Sequence, residues 1–143
     1  DYAVTPDAIE NVLTTLRGIA PKRLVMLFGA GGDRDRKKRP IMGKLSADIA
    51  DFVIVTSDNP RTEDPMSIIE EILPGVRAGK APYKVICDRP EAIRWAIDHH
   101  EPGDVILLCG KGHEDYQIIG HEKIHMDERE IVADYLAERA KRT

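Results

Sequence analysis

A zinc-protease pattern, H-E-x-x-H, occurs near the end of this sequence as HEKIH at residues 121–125. In such proteases the two histidines share one helix face, where they bind zinc beside a glutamate that acts as general base. Here a glycine directly precedes the motif and β-branched residues surround it, a composition that favours a short hairpin over a helix. We therefore expect His121 and His125 to be exposed hairpin residues, and we expect no metal site in this chain.

A glycine-rich segment at residues 29–32 follows an apolar run, which is where a phosphate-binding loop would be expected. The dinucleotide pattern G-x-G-x-x-G fails because Arg34 occupies its third glycine position, and the P-loop pattern G-x-x-x-x-G-K-S/T does not occur. The glycines still allow close backbone approach to a ligand, and Arg34 could bind a carboxylate or a phosphate. The basic run at residues 34–39 has no interleaved aromatics and belongs to an acidic chain, so we favour a solvated loop over a nucleic-acid site.

Polar residues also follow two other apolar runs, as DNPR at residues 58–61 and GKGHE at residues 110–114. Pro60 fixes its own φ and biases Asn59 toward an extended conformation, so the first loop can present its acid, amide and guanidinium groups rigidly. A plain strand-to-helix connection is an equally good interpretation on chemistry alone. In the second loop Glu114 could bind an ammonium group, and an ordinary turn with incidental charges is the alternative.

Apolar residues at helical spacing alternate with short continuous apolar runs along the chain. The predicted strands are residues 23–28, 51–56, 83–87 and 105–109, with a hairpin at 116–119 and 123–125. The predicted helices begin near Thr5-Pro6, at Pro40, at Asp64-Pro65, at Asp88 or Pro90, and after Asp127, and the third ends near Pro74-Gly75. This order predicts an α/β fold, a three-layer Rossmann-like domain with a mostly parallel sheet and an antiparallel edge hairpin.

Three loops should meet at one edge of such a sheet, because parallel strands deliver their carboxyl ends together and ligands bind there. They are residues 29–39, 57–64 and 110–115. Among the groups that they offer are Arg34, Asn59, Arg61 and Glu114. Arginine suits carboxylates and glutamate suits ammonium groups, so a zwitterionic, amino-acid-like ligand fits better than a nucleotide.

The bulk composition limits the classes of protein to consider. The 143 residues are 42% hydrophobic and carry a formal net charge of −4. These values are typical of one folded domain and argue against a general nucleic-acid binder. No apolar run approaches the roughly 20 residues that span a membrane. The sequence starts without methionine, so we expect it to be part of a longer protein.

The whole chain resembles the C-terminal domain of the Mur ligases that add the third amino acid to the peptidoglycan stem peptide. The matching stretches are DYAVTPDA at residues 1–8, GGDRDRKKRP at 31–40, TSDNPRTEDP at 56–65, GKGHEDYQ at 110–117 and MDEREI at 126–131. They occur in the family's order and spacing and cover nearly the whole chain, which is far more specific than any single motif. Val4 departs from the histidine usual in the family, which puts in doubt a contact to nucleotide or to a neighbouring domain.

The resemblance implies a site for meso-diaminopimelate. DNPR looks like the signature of enzymes that use this amino acid, and lysine-adding relatives typically lack the arginine. The residues that match the family's pocket are Arg34, Asp58, Asn59, Pro60, Arg61, Gly110 and Glu114. Diaminopimelate has a second carboxylate that lysine lacks, and Arg61 could hold it bidentately. Asp1 matches an acidic position near the ATP ribose in related ligases.

The resemblance also implies ATP-dependent amide formation in the bacterial cytoplasm. ATP phosphorylates the D-Glu side-chain carboxylate of UDP-MurNAc-L-Ala-D-Glu, and an amine of diaminopimelate attacks the acyl phosphate, releasing ADP and phosphate. Residues 1–143 would be the amino-acid-binding domain that closes over ATP. ATP, Mg²⁺ and the UDP-linked substrate would be bound mainly by a central and an N-terminal domain outside this chain. The isolated chain is then expected to bind no cofactor, to hold no catalytic residue and to be inactive.

Two other interpretations of the sequence are open. A folylpolyglutamate-synthase-like or other Mur-type ligase domain would share the fold but should lack DNPR and GKGHE together. A stand-alone α/β binding module would have no ligase around it, which the reading frame upstream of Asp1 would reveal. A zinc hydrolase is a more distant alternative.

Overall fold

Helices and strands alternate through the described part of the chain, which comprises residues 5–19, 21–110, 116–119 and 121–142 of the computed structural model. The helices are α1 (Pro6–Arg17), α2 (Lys38–Ile49), α3 (Pro65–Ala78), α4 (Arg89–Asp98) and α5 (Glu128–Arg142). The strands are β1 (Arg23–Phe28), β2 (Phe52–Val55), β3 (Tyr83–Val85), β4 (Asp104–Leu108), β5 (Tyr116–Ile119) and β6 (Glu122–His125). Every predicted strand is present, with ends that agree to within two residues. Among the described residues, no helix is both long enough and apolar enough to cross a bilayer.

Four strands form a parallel sheet in the order β3-β2-β1-β4. In β1, Val25 lies opposite Phe52 of β2 on one side and Ile106 of β4 on the other. The chain adds β2 and β3 on one side of β1 and then crosses back to β4, so the topological switch point lies between β1 and β4. Ligands of open α/β sheets bind in the crevice at this point. β5 and β6 pair antiparallel as a separate two-stranded sheet, so the mostly parallel sheet and the antiparallel hairpin are both confirmed.

The side chains of β1 alternate between two hydrophobic layers, because successive residues of a strand point to opposite faces of the sheet. Leu24, Met26 and Phe28 pack in the layer formed by α1, α2 and α3. Val25 and Leu27 pack in the layer formed by α4 and α5. All five side chains are buried. The predicted three-layer architecture is thereby confirmed.

Capping side chains set where two of the helices begin. The Thr5 hydroxyl accepts a 3.2 Å hydrogen bond from the Ala8 amide at the start of α1. Asp88 Oδ2 accepts a 3.0 Å hydrogen bond from the Glu91 amide, so α4 begins at the next residue and Asp88 is its N-cap. Each cap satisfies an amide that has no partner within its helix. The first of the two alternatives for the start of α4 is therefore correct.

α3 continues past Pro74, so the prediction that it ends near Pro74-Gly75 was wrong. A proline inside a helix removes one hydrogen bond and costs about 3 kcal/mol. Here Ile72 and Val76, on either side of it, are buried in the core. A Cβ on Gly75 would overlap the Pro40 carbonyl of α2, so glycine permits close packing of the two helices. Burial of apolar side chains between α2, α3 and the sheet offsets the lost hydrogen bond.

Candidate functional site

A cleft of about 570 Å³ opens at the carboxyl ends of β1, β2 and β4, where the sheet has its switch point. The residues predicted for the site that line this cleft are Arg34, Asp58, Asn59, Arg61 and Gly110. Pro60 is buried within the second loop. Glu114 and Asp1 lie outside the described residues. The first two predicted loops and the start of the third therefore meet at one edge of the sheet.

The loop of residues 58–61 is held by hydrogen bonds to the glycine-rich loop after β1. The Gly32 amide donates to the Asn59 carbonyl at 2.7 Å, and Arg61 Nη1 donates to the Gly32 carbonyl at 3.0 Å. Arg61 Nη1 also donates to the Asn59 carbonyl at 3.4 Å. The Arg61 backbone has a φ of +51°, a left-handed conformation that costs a non-glycine residue about 1 kcal/mol. These contacts hold Arg61 in a conformation that an isolated arginine would rarely adopt.

Two of the glycines after β1 allow close approach of the loop after β2. A Cβ built on Gly29 would overlap the Thr56 carbonyl, and a Cβ built on Gly32 would overlap the Pro60 carbonyl. Gly29 and Gly31 also line the cleft, so close backbone approach of these glycines to a ligand stays a prediction. The absence of a side chain at residues 29 and 32 fixes the position of the second loop.

Replacing Gly32 with alanine is expected to destabilise the chain by about 2 kcal/mol or more, because the new methyl group would displace the backbone at Pro60. Gly31→Ala is the matched control, since its Cβ would lie 3.0 Å from Arg61 Nη1, the end of a flexible side chain. That variant should lose less than about 1 kcal/mol. Urea unfolding of both variants measures the difference. Equal losses would show that the contact between the two loops does not depend on glycine at position 32.

Arg39 is buried, so the prediction that the basic run is a solvated loop was wrong for its last residue. α2 begins at Lys38, two residues before the predicted Pro40, and its first turn carries Arg39 inward, where 1% of it is exposed. The Arg39 guanidinium donates to both carboxylate oxygens of Glu63, at 2.7 and 3.0 Å. It also donates to the Gly31 carbonyl at 3.0 Å. This ion pair joins the loops after β1 and β2 beside the cleft.

Glu63 extends this ion pair to the backbone of the first loop. Its Oε2 accepts a 2.6 Å hydrogen bond from the Asp33 amide. The Asp33 backbone has a φ of +55°, and its carboxylate accepts a 2.7 Å hydrogen bond from the Thr62 hydroxyl. The hydrogen bond from Arg39, followed by that from the Asp33 amide, lowers the pKa of Glu63 from 4.5 to about 2. Glu63 is therefore ionised at neutral pH and ties together the loops that carry Arg34 and Arg61.

A second buried arginine, Arg89, joins the ends of β2 and β4. Its side chain is fully buried, and it donates to the Ser57 carbonyl at 3.1 Å and to the Cys109 carbonyl at 2.8 Å. Its charge is balanced by Glu128, whose carboxylate accepts a 2.7 Å hydrogen bond from Nε. Sequence reasoning missed both residues, because arginine and glutamate at helix starts are mostly solvent-exposed. The only sequence feature that could have indicated this pair is the opposite charge of the two residues. Many other pairs of residues in the chain also have opposite charges, so this feature does not identify it.

Residues 111–115 lie outside the described residues, but Gly110 before them and Gln117 shortly after them both lie beside Asp58. Gly110 has a φ of +107°, and a Cβ built on it would lie 3.3 Å from Asp58 Oδ2. Gln117, in β5, donates from Nε2 to the Asp58 carbonyl at 2.6 Å. Gln117 is the last residue of the GKGHEDYQ stretch that resembles the family, but it is not among the predicted site residues.

The zinc-protease pattern lies in the hairpin and not on a helix. His121 is in the turn and His125 is in β6, and both are exposed. His125 Nε2 lies 2.7 Å from a carboxylate oxygen of Glu130. The hairpin interpretation is confirmed, and residues 121–125 lack the helical context that a zinc protease needs. No group of three or more His, Cys, Asp and Glu side chains arranged to hold a metal ion is found within the described part of the chain.

The sequence is similar to a known family and to several known proteins. A family model described as "Mur ligase, glutamate ligase domain" matches residues 1–112. A UDP-N-acetylmuramoyl-L-alanyl-D-glutamate–2,6-diaminopimelate ligase of Trichormus variabilis is 57% identical over 141 residues, which are 99% of this chain and 28% of that protein. The protein of the same name from Caldanaerobacter subterraneus is 53% identical over 141 residues, which are 99% of this chain and 29% of its own length. The chain thus spans less than a third of these relatives.

Solved structures show the same relationship at the level of the fold. A structure of a UDP-N-acetylmuramoyl-L-alanyl-D-glutamate–2,6-diaminopimelate ligase superposes with a TM-score of 0.90 at 42% identity, over 98% of this chain and 29% of that one. A folylpolyglutamate synthase from Thermotoga maritima superposes with a TM-score of 0.53 at 24% identity, over 77% of this chain and 24% of that one. The second likeness concerns the fold alone.

Proposed function

This chain belongs to the Mur ligase family, as a glutamate ligase domain, and on that premise we propose that it is the amino-acid-binding C-terminal domain of an ATP-dependent ligase. The ligase would add meso-diaminopimelate to UDP-MurNAc-L-Ala-D-Glu, the reaction suggested by the names of its relatives. Residues 1–143 would bind the incoming amino acid, present its amine to the activated D-Glu carboxylate, and close over ATP. The remaining domains would belong to the same cytoplasmic bacterial protein.

The placement of Arg61 is the observation that carries this proposal. The residue lines the cleft at the switch point of the sheet, on a backbone held in a left-handed conformation. Within the described residues its hydrogen bonds run through Nη1, to the carbonyls of Gly32 and Asn59. Nε and Nη2 are then available for a ligand carboxylate, which a guanidinium binds bidentately. Diaminopimelate supplies such a carboxylate at its far end and lysine does not.

The other predicted residues would hold the remaining charges of the amino acid. Arg34 is exposed at the rim of the cleft and would bind a carboxylate, together with the DNPR loop of Asp58, Asn59, Pro60 and Arg61. Glu114 and the Gly110 backbone would bind the distal ammonium group. This assignment is supported by Gly110, which lies beside Asp58, and by Gln117, which donates to the Asp58 carbonyl.

No P-loop pattern occurs in the sequence, and two of the glycines after β1, Gly29 and Gly32, pack against the backbone at Thr56 and Pro60. We therefore assign ATP, Mg²⁺ and UDP-MurNAc-dipeptide to the other domains of the longer protein. Asp1 would contribute a contact to the nucleotide.

The function is tested by assaying the longer protein with UDP-MurNAc-L-Ala-D-Glu, ATP and either meso-diaminopimelate or L-lysine. We expect the tripeptide product with diaminopimelate and a much lower kcat/KM with lysine, because lysine supplies no carboxylate to Nε and Nη2 of Arg61. Amide formation with lysine at an equal or higher kcat/KM would contradict the proposed substrate. Absence of ligation with both amino acids would contradict the proposed reaction.

The isolated chain is expected to show no ATP turnover, since its sequence has no P-loop. The measurement is release of inorganic phosphate by the purified chain with Mg²⁺-ATP, with and without meso-diaminopimelate. The longer protein, assayed with all three substrates, is the positive control. Phosphate release by the isolated chain above the buffer background would refute the assignment of ATP to other domains.

A further inference from the structure

A side chain from the hairpin binds Ser57, the residue before DNPR, and Asp58, its first residue. Gln117 Nε2 donates to the Ser57 hydroxyl at 2.8 Å and to the Asp58 carbonyl at 2.6 Å. A glutamine amide has two N–H donors, so both are committed to this one segment. Gln117 is 6% exposed and Ser57 is 7% exposed. Hydrogen bonds of this kind are sensitive to substitution, because a buried acceptor left unpaired is costly.

The same segment is held from a second direction by Arg89. The Ser57 carbonyl accepts from Arg89 Nη1 at 3.1 Å, while Nη2 of the same side chain binds the Cys109 carbonyl, next to Gly110. Arg89 therefore holds the residue before DNPR, Gln117 holds that residue and Asp58, and the Gly32 amide donates to the Asn59 carbonyl. The loop is fixed at its start by side chains and further along by the first loop.

We propose that Gln117 is a positioning residue for recognition of the diaminopimelate carboxylate, an inference that rests on the function proposed above. Gln117 lies in β5, the strand that follows Glu114 in the sequence, and its amide anchors that strand to the DNPR loop. Its side chain thereby ties β5 to the loop assigned to the carboxylate. Gln117 acts through Ser57 and Asp58, which set the path of the backbone leading to Arg61.

The test is Gln117→Met in the longer protein, which keeps the length of the side chain and removes both donors. Loss of the anchor is expected to raise KM for meso-diaminopimelate about 10- to 100-fold, because small displacements of a positioned group have effects of this size. KM for ATP and for UDP-MurNAc-dipeptide should change less than about threefold, since neither is assigned to this loop. If Gln117 had a purely structural role, the substitution would lower the amount of folded protein. All three KM values of the folded fraction would then stay at the wild-type level.

Tyr135→Phe is the matched control, because it removes a buried hydroxyl that donates to Asp98 Oδ2 at 2.6 Å, at the opposite end of α4 from Arg89. It should leave all KM values unchanged. If Gln117→Met does not fold, Ser57→Ala removes one of the two acceptors and should raise KM for diaminopimelate by a smaller factor.

The two proposals fail in distinguishable ways. If the wild-type protein does not ligate diaminopimelate, the proposed function fails and the role of Gln117 fails with it. If the wild type does ligate it and a folded Gln117→Met or Ser57→Ala variant keeps the wild-type KM, the role of Gln117 alone is overturned. A parallel rise of all three KM values would also overturn it.

Discussion

Replacing Arg61 with alanine in the longer protein is expected to lower kcat/KM for meso-diaminopimelate by about 100-fold or more and to leave the low activity with lysine nearly unchanged. Removing one partner of a hydrogen-bonded charge pair in a desolvated site costs about 3 kcal/mol or more, and each 1.4 kcal/mol corresponds to about tenfold. Lysine has no carboxylate at the position that Arg61 faces, so it loses no contact. The measurement is steady-state kinetics with both amino acids.

Two further variants separate the loss of the Arg61 guanidinium from backbone strain at residue 61 and from the loss of positive charge in the first loop. Arg61→Gly accepts a φ of +51° without strain, so it should be about 1 kcal/mol more stable than Arg61→Ala and equally poor with diaminopimelate. Arg36→Ala removes an arginine of the first loop whose side chain is 69% exposed and bound to Glu71, and it should leave kcat/KM near the wild-type value. Equal losses for lysine and diaminopimelate in Arg61→Ala would mean that Arg61 does not bind the second carboxylate.

Replacing Glu63 with glutamine is expected to lower the free energy of unfolding at pH 7 by about 2–4 kcal/mol, because Arg39 would remain buried without its counter-charge. Arg39 is 1% exposed, and its other carboxylate contact, to Glu71, is longer, at 3.4 Å. Urea unfolding of this chain measures the loss. Asp48→Asn is the control, since its partner Lys44 is exposed and such surface pairs contribute about 0.5 kcal/mol. Equal losses in the two variants would contradict the importance of the buried pair.

The same pair makes stability depend on pH in a definite direction. The pKa of Glu63 falls from 4.5 to about 2 on folding, so between these values the unfolded chain binds more protons than the folded one. The stabilisation from Glu63 is complete above about pH 4.5 and is lost as the pH falls through about 2, and it is on the order of 2 kcal/mol after solvent screening. Unfolding free energies from pH 6 down to pH 2 should therefore decline more steeply in the wild type than in Glu63→Gln. Parallel curves would show that Arg39 does not hold this carboxylate.

Local sequence patterns, such as apolar runs and capping residues, predicted most of the fold. One continuous apolar run predicts β1 at its observed bounds, and the position of Thr5 before Pro6 predicts its role as a cap. Such features depend on a few consecutive residues, so they can be inferred without knowing what packs against them. The end of α3 could not be inferred in this way, because packing against α2 stabilises the helix beyond Pro74.

The candidate site also has a part that the sequence predicts and a part that it does not. The loops that line the cleft were predictable, because parallel strands bring their carboxyl ends to one edge and DNPR directly follows β2. The buried polar residues that support these loops were not. Arg39 pairs with a residue 24 positions away, Arg89 with one 39 away, and Gln117 with one 60 away.

By itself the sequence determined the order of helices and strands, the loops that carry polar side chains, and the motifs that relate the chain to the Mur ligases. The tertiary structure alone decided which charged and polar side chains become buried supports of the site. It also decided that Gly29 and Gly32 pack against the backbone of the loop after β2. The physical reason is that a hydrogen bond between residues distant in the chain depends on distances that exist only after the sheet has assembled and water has been excluded.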